Sequence, residues 1–311
     1  MQNTIRTIID ELQKVIIGKR ETLEKLLLSI LAGGHVLLDD VPGVGKTTMA
    51  IAVSKTLGMK YRRIQFTPDV LPSDITGFSV YSKESGNLSY ISGAAIDTNI
   101  LLGDEINRTS SKTQSALLEA MEEGQVTVDG VTHTLLKPFV VIATQNNVGT
   151  AGTQVLPFAQ LDRFLMRISI GYPDFDGQMA IIRDRQCNNP MDKLSQIVSI
   201  DSVLHMQDET KNVTVKDSVI AYITSLVMAS RDADGVELGI SPRGALFISK
   251  AAKARAYLHG RDYAIPEDVR AVFADVCAHR ILLKPQAIVS QNTANSILIG
   301  LLKTVKPPDS L

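Results

Sequence analysis

The chain opens with two stretches in which apolar residues recur at helical spacing. Ile5, Ile8, Ile9 and Leu12 form one stripe, and Leu23, Leu26, Leu27 and Ile30 form another, the recurrence of a helix with one buried face. Val15-Ile16-Ile17-Gly18 breaks the first, and Gly33-Gly34 closes the second, as glycine commonly does at a helix C-terminus. Five short apolar runs follow, at 35–38, 61–66, 99–102, 139–143 and 165–170, with helical stretches between them. Runs this apolar predict strands buried on both faces, hence a parallel sheet of about five strands covered by helices.

Two insertions interrupt the alternation. Residues 78–91 carry Ser85-Gly86-Asn87 between alternating residues, and 125–135 carry Asp129-Gly130 between Val126/Val128 and Val131. Both read as hairpins that project from the core. After Gly171-Tyr172-Pro173-Asp174 the strand signals fade. Three helical stripes take over: Val219/Ile223/Leu226/Val227, Phe247/Ala251/Ala254/Leu258 and Val269/Val272/Phe273/Val276. Their expected starts are Thr214 with Asp217, Ser241 with Pro242 at the first helical position, and Pro266 followed by two acids. The division this gives is an α/β core with its N-terminal helices over residues 1–172 and a helical lid with the C-terminal tail over 173–311.

Composition narrows the class. With 44% hydrophobic and 21% charged residues, the 311-residue chain can bury a core unaided. Thirty-two basic against 33 acidic residues leave a charge of −1, so no global positive field points to nucleic acid or to an anionic membrane. Cys187 and Cys277 stand in no metal-ligand spacing. The first residues lack a signal-peptide pattern, and no apolar run is long enough to span a bilayer. A cytoplasmic protein without membrane insertion is expected.

The candidate chemistry starts at Asp39-Asp40-Val41-Pro42-Gly43-Val44-Gly45-Lys46-Thr47-Thr48. A phosphate-binding loop needs glycines so that main-chain N–H groups can curl around oxygens, and a lysine to neutralise the β and γ charges. Gly43, Gly45 and Lys46 supply these, flanked by Pro42 and Val44, and Thr47 and Thr48 offer hydroxyls, Thr47 where Mg²⁺ would sit. Asp40 departs from the motif by occupying its first glycine position. Its side chain either turns away from the phosphates or tunes their affinity.

Three further signals lie downstream. The run 99–102 leads to Asp104 and Glu105, placing two carboxylates at the sheet edge where ligands of open α/β folds bind. Asp104 would hold Mg²⁺ through its water shell and Glu105 would polarise the attacking water. On its own, such a pair is as common in ordinary loops. The run 139–143 leads to Asn146, an amide able to orient that water or simply to form a turn. Arg163 and Arg243 stand at element boundaries; a guanidinium suits transition-state charge on a γ-phosphate, yet a lone arginine is more often a solvated surface group.

Taken in order, these segments resemble the AAA+ ATPases, and within them the MoxR group. The matching stretches include Gly33-Gly34-His35-Val36-Leu37-Leu38, the phosphate loop, Arg63-Ile64-Gln65-Phe66-Thr67-Pro68-Asp69 and Asp104-Glu105-Ile106-Asn107-Arg108. Ala143-Thr144-Gln145-Asn146, Gln160-Leu161-Asp162-Arg163-Phe164 and Ser241-Pro242-Arg243-Gly244 complete them. The resemblance implies an α/β P-loop AAA+ core with a five-stranded parallel sheet, followed by an all-helical lid. It implies Lys46 and Thr47 as the Walker A pair, Asp104 and Glu105 as Walker B, Asn146 as sensor 1, Arg163 as a finger reaching a neighbour's ATP, and Arg243 as sensor 2 acting from the lid. Ile16, Ile17 and Gly18 would line the adenine. The two hairpins would be the helix-2 insert and the pre-sensor-1 hairpin.

The expected function is Mg²⁺-dependent ATP hydrolysis by a homo-oligomeric ring, hexameric by resemblance, that remodels or matures a protein client with a von Willebrand factor A domain partner. Two other readings stand beside it: a nucleotide-responsive scaffold with little turnover, which Asp40 would favour, and a chelatase-like or DNA-acting motor, which the balanced charge disfavours.

Overall fold

The computed structural model describes residues 2–81, 83, 86–145, 156–184, 186 and 190–308. Its first elements are α1 (Gln2–Gln13) and α2 (Arg20–Leu31), both with their leucine and isoleucine stripes buried. There follow β1 (Val36–Asp39), α3 (Lys46–Thr56), β2 (Tyr61–Gln65), the short α4 (Pro72–Thr76), β3 (Phe78–Tyr81) and β4 (Leu88–Ile91). The core continues through β5 (Ile100–Asp104), α5 (Ser111–Glu123), β6 (Gln125–Val128), β7 (Val131–Thr134), β8 (Val140–Gln145), α6 (Phe158–Leu161) and β9 (Met166–Ile168).

Five of these strands form one sheet in the order β2-β5-β8-β1-β9, and every pairing in it is parallel. Strand residues alternate between two buried clusters, as a period of two demands. Val36, Leu38, Ile100, Leu102, Val140 and Ile142 face α1, α2 and α3. Leu37, Leu101, Val141 and Ala143 face Phe66, Leu117, Leu118 and Phe164. β2 differs from the expectation of burial on both faces. It is an edge strand, and Arg62, Arg63 and Gln65 are exposed. The register aligns Asp39 with Gln145 and Gln65 with Asp104, so the strand ends that carry polar groups share one edge of the sheet.

Both insertions are antiparallel hairpins separate from the sheet. Asp129 and Gly130 take positive φ, 50° and 78°, the requirement of a type I′ turn. The two hairpins touch through Tyr90 and His133, whose rings stack 3.8 Å apart.

Beyond β9 lie α7 (Phe175–Asp184), α8 (Ile200–Asn212), α9 (Asp217–Asp232), β10 (Val236–Leu238) and α10 (Pro242–Leu258). The chain continues with α11 (Pro266–Cys277), β11 (Leu282–Leu283), α12 (Pro285–Val289) and α13 (Ala294–Thr304). The antiparallel β10–β11 ribbon is an addition to the all-helical lid expected. Ser241 caps α10 by accepting from Gly244 N at 3.0 Å, and Asp268 accepts from Ile265 N at the head of α11. Thr214 does not cap α9, whose cap residue is Lys216; its main chain is engaged in a bridge to Tyr263. The buried apolar cluster beneath α1–α3 runs on without a break into α8, α9, α10, α11 and α13, so the lid shares a core with one face of the sheet. No described helix is long and apolar enough to cross a membrane.

Candidate active site

β1 ends at Asp39, and the chain must turn into α3 within six residues. Gly43 (φ 84°) and Gly45 (φ 94°) make that turn in the left-handed region, where a Cβ is strained. A Cβ built on either would meet nothing within 4 Å, so the loop opens onto free space at the head of α3. Unpaired N–H groups and the helix dipole favour an anion there. Residues 42–48 line a cavity of ≈ 590 Å³ together with Arg63, Gln65, Asp104, Glu105, Tyr172, Pro173, Gln178 and Ile181, a size suited to a small-molecule ligand. Lys46 Nζ donates to the carbonyls of Asp40 (2.6 Å) and Gln145 (3.0 Å). Burial pushes its ammonium below the usual range, against the pull of Asp40, Asp104, Asp39 and Glu105.

The carboxylates come from the neighbouring strand but one. Asp104 accepts from Thr144 Oγ1 at 2.6 Å and from Arg63 at 2.7 Å. Glu105 takes an uncommon left-handed backbone (φ 58°), which its main-chain N–H supports by donating to the same Thr144 hydroxyl at 2.9 Å. Its carboxylate accepts from Arg108 at 2.7 Å and Gln65 at 3.2 Å. Thr144, itself buried on the inner strand β8, therefore fixes both acids at once. Thr47 and Asp104 line one cavity with oxygen donors only, the donor type a hard divalent cation such as Mg²⁺ takes. Among the described residues no group of three or more His, Cys, Asp or Glu could hold a metal ion.

Asp40 turns away from the loop. Oδ2 accepts from Ile170 N (2.6 Å), Gly171 N (2.6 Å) and Ser169 Oγ (2.9 Å), and Oδ1 accepts from Val41 N (2.8 Å). The side chain thus ties the start of the phosphate loop to the segment entering the lid. Burial raises its pKa, but the donors from Gly171, Val41, Ser169 and Ile170 outweigh it and hold the carboxyl below the usual aspartate range. A depressed folded-state pKa stabilises the fold at pH values above the unfolded aspartate value of about 3.9, and that contribution is lost as pH falls through the folded value. Asp40→Gly restores the commoner residue of the motif, yet it is expected to lower the unfolding free energy by about 1–3 kcal/mol at neutral pH. Denaturant titration measures this, and an unchanged midpoint would show the clamp to be incidental.

Neither Arg163 nor Arg243 lines the phosphate-loop cavity. Both line a second one, of ≈ 240 Å³, with His35, Phe247 and Lys250. They share one carboxylate: Glu122, near the end of α5, pairs with Arg163 Nε at 2.9 Å and with Arg243 at 2.5 Å. Arg243 in the lid is thereby grouped with Arg163 of the core and not with the loop. Ile16, Ile17 and Gly18 occupy the turn between α1 and α2 and do not line the loop cavity, although the adjacent Lys19 donates to Tyr172 O at 2.8 Å. Asn146 lies outside the described residues. The sequence reading passed over Thr144, Arg63, Gln65, Glu122 and the α7 residues Gln178 and Ile181. For Thr144 a signal existed, a polar residue ending an apolar strand beside the one that carries the acids.

A glycine-turned loop on a helix head, two acids at the end of the inner strand one removed and a five-stranded parallel sheet define a P-loop nucleotide-binding protein with a helical lid. Residues 35–166 match the ATPase family associated with various cellular activities (AAA), and 228–298 match the AAA lid domain. A Bacillus subtilis protein, YeaC, is 45% identical over 96% of this chain and 93% of its own length. Chaperone MoxR1 of Mycobacterium tuberculosis is 37% identical over 98% of this chain and 83% of its own. A solved structure from Cytophaga hutchinsonii superposes with a TM-score of 0.90 at 38% identity, covering 98% of this chain and 95% of that one. The chain belongs to the MoxR family of AAA+ ATPases, and ATP hydrolysis is its activity.

Proposed function

We propose that this protein is a Mg²⁺-dependent ATPase that works as a closed ring of like subunits and remodels or matures a protein client in the cytoplasm. One observation carries the reading. The groups that bind and attack a nucleotide line one cavity, while Arg163 and Arg243 line another and are held together there by Glu122. Transition-state charge on a γ-phosphate is stabilised by a guanidinium; Arg63 in the first cavity is already paired with Asp104 at 2.7 Å, and a heterologous contact between subunits of a ring would bring the second cavity of one chain to the first cavity of the next.

Within this reading Lys46 and the 42–48 main chain hold the phosphates, with Thr47 and Asp104 on the cation side. Glu105, once released by Arg108 and Gln65, takes the proton of the attacking water, and Asn146 orients that water. Mg²⁺, when bound, neutralises charge on the β- and γ-oxygens. The turn of Ile16, Ile17 and Gly18 covers the adenine from beside Tyr172. Residues 1–172 act as the core and 173–311 as the lid, with Gly171 and its Asp40 clamp at the joint. Because Asp40 faces away from the phosphates, the feature that favoured a scaffold of low turnover now supports a competent loop.

The name of MoxR1 supports a chaperone role, and a von Willebrand factor A domain partner follows from the resemblance. Specific ATPase activity is expected to rise with protein concentration over the same range in which sedimentation shows assembly. Constant specific activity down to concentrations where only monomer sediments would overturn the ring requirement.

A further inference from the structure

Among the described residues Arg280 is the largest side chain that is fully buried. A buried guanidinium is costly unless its donors are met, and here they reach two separate parts of the chain. Nε donates to Asp162 Oδ1 at 2.8 Å, and Nη2 donates to the carbonyls of Asp162 (3.0 Å) and Phe164 (2.5 Å). These contacts hold the segment in which Arg163 sits. Nη1 donates to the carbonyls of Leu165 at 3.3 Å and of Val276 in α11, and on the α10 side the ring of Phe247 lies over the guanidinium at 4.8 Å while a Cβ added at Gly244 would come within 3.0 Å of Arg280 Cδ. Gly244 is thus a point of close approach between the Arg280 stem and the first turn of the helix that carries Arg243. Asp162 completes the link, since its Oδ2 accepts from the hydroxyl of Ser241, the cap of that helix, at 3.1 Å.

We propose that Arg280 and Asp162 are positioning residues that lock the Arg163 segment of the core to the Arg243 helix of the lid, so that each subunit presents the two arginines to its neighbour as one rigid pair. This rests on the reading that those arginines serve the neighbouring site. Glu122 spans the pair from α5 on its exposed side, and the Arg280–Asp162–Ser241 joint holds it from the buried side. The need for such a joint is physical. Two long side chains on elements far apart in sequence reach one phosphate group together only if their backbones keep a fixed separation, and an error of about 1 Å in placement costs on the order of 100-fold in rate.

The test uses the full chain with Asp162→Asn, and Arg280→Lys as a second variant that keeps charge and stem but loses the fork. Each is checked for thermal unfolding and for affinity toward a fluorescent ATP analogue. Then kcat and KM for ATP are measured alone and in equal mixture with Glu105→Gln subunits, which keep intact arginines. The expected result is native-like nucleotide affinity, a kcat lowered roughly 10- to 100-fold, KM within about twofold, and turnover restored on mixing. Wild-type kcat in a folded variant overturns the proposal. So does turnover that stays lost on mixing under conditions where Arg163→Ala is restored, and so does loss of nucleotide binding, since the joint would then serve the fold rather than the arginines. If Arg163→Ala itself is not restored by mixing, the reading that arginines act between subunits fails, and this inference falls with it.

Discussion

Replacing Glu105 with glutamine is expected to leave ATP bound and to reduce turnover by roughly 100- to 10,000-fold, the range for loss of a general base. The substitution keeps the shape of the side chain and the left-handed turn at its backbone, which depends on the Thr144 hydroxyl and not on the carboxylate. It removes the capacity to take a proton from water, together with the charge that pairs with Arg108. Lys46 and the glycine turn remain in place, so nucleotide affinity stays near the wild-type value. In single-turnover conditions the chemical step slows while binding does not. A Glu105→Gln protein that hydrolysed ATP at more than about a tenth of the wild-type rate would move the base to another residue. The same variant, loaded with ATP, is the bait expected to retain client and partner in a pull-down from the host.

The second large effect is at Arg163. Arg163→Ala is expected to bind ATP normally, to assemble, and to lose roughly 1,000-fold or more in kcat, the scale on which a finger arginine acts. In the proposed ring the loss is expected in the neighbour's site, because in its own subunit Arg163 lines a different cavity from the phosphate loop. Arg243→Ala is a smaller companion effect in the same direction. Its guanidinium shares the Glu122 carboxylate with Arg163, so removing it also leaves the finger less well held.

How much of this was open to reading from the chain follows from which contacts are local. The inner strands were legible because β1, β5 and β8 are almost wholly apolar and buried on both faces. β2 was legible as a strand but not as an edge strand, since the exposure of Arg63 and Gln65 depends on its place in the sheet order. The phosphate loop was legible because glycine spacing and lysine are local necessities of the turn. The orientation of Asp40 was not, because all but one of its partners are main-chain N–H groups, at Val41, Ile170 and Gly171, and main-chain donors leave no mark in a sequence. Glu122 unites residues 41 and 121 positions away, a pairing that only the tertiary fold creates. Thr214 misled in the same way: its local pattern suits a helix cap, and the bridge to Tyr263 won.

The account turns on the claim that a working nucleotide site is built from two subunits. Its most direct test is an equal mixture of Arg163→Ala and Glu105→Gln proteins, each nearly inactive by itself. Random pairing in a heterologous ring places an intact Glu105 site beside an intact Arg163 at roughly a quarter of the interfaces. Turnover recovering toward about a quarter of the wild-type rate is the predicted result. A mixture no more active than its separate components, under conditions where mixed rings are shown to form, would contradict it.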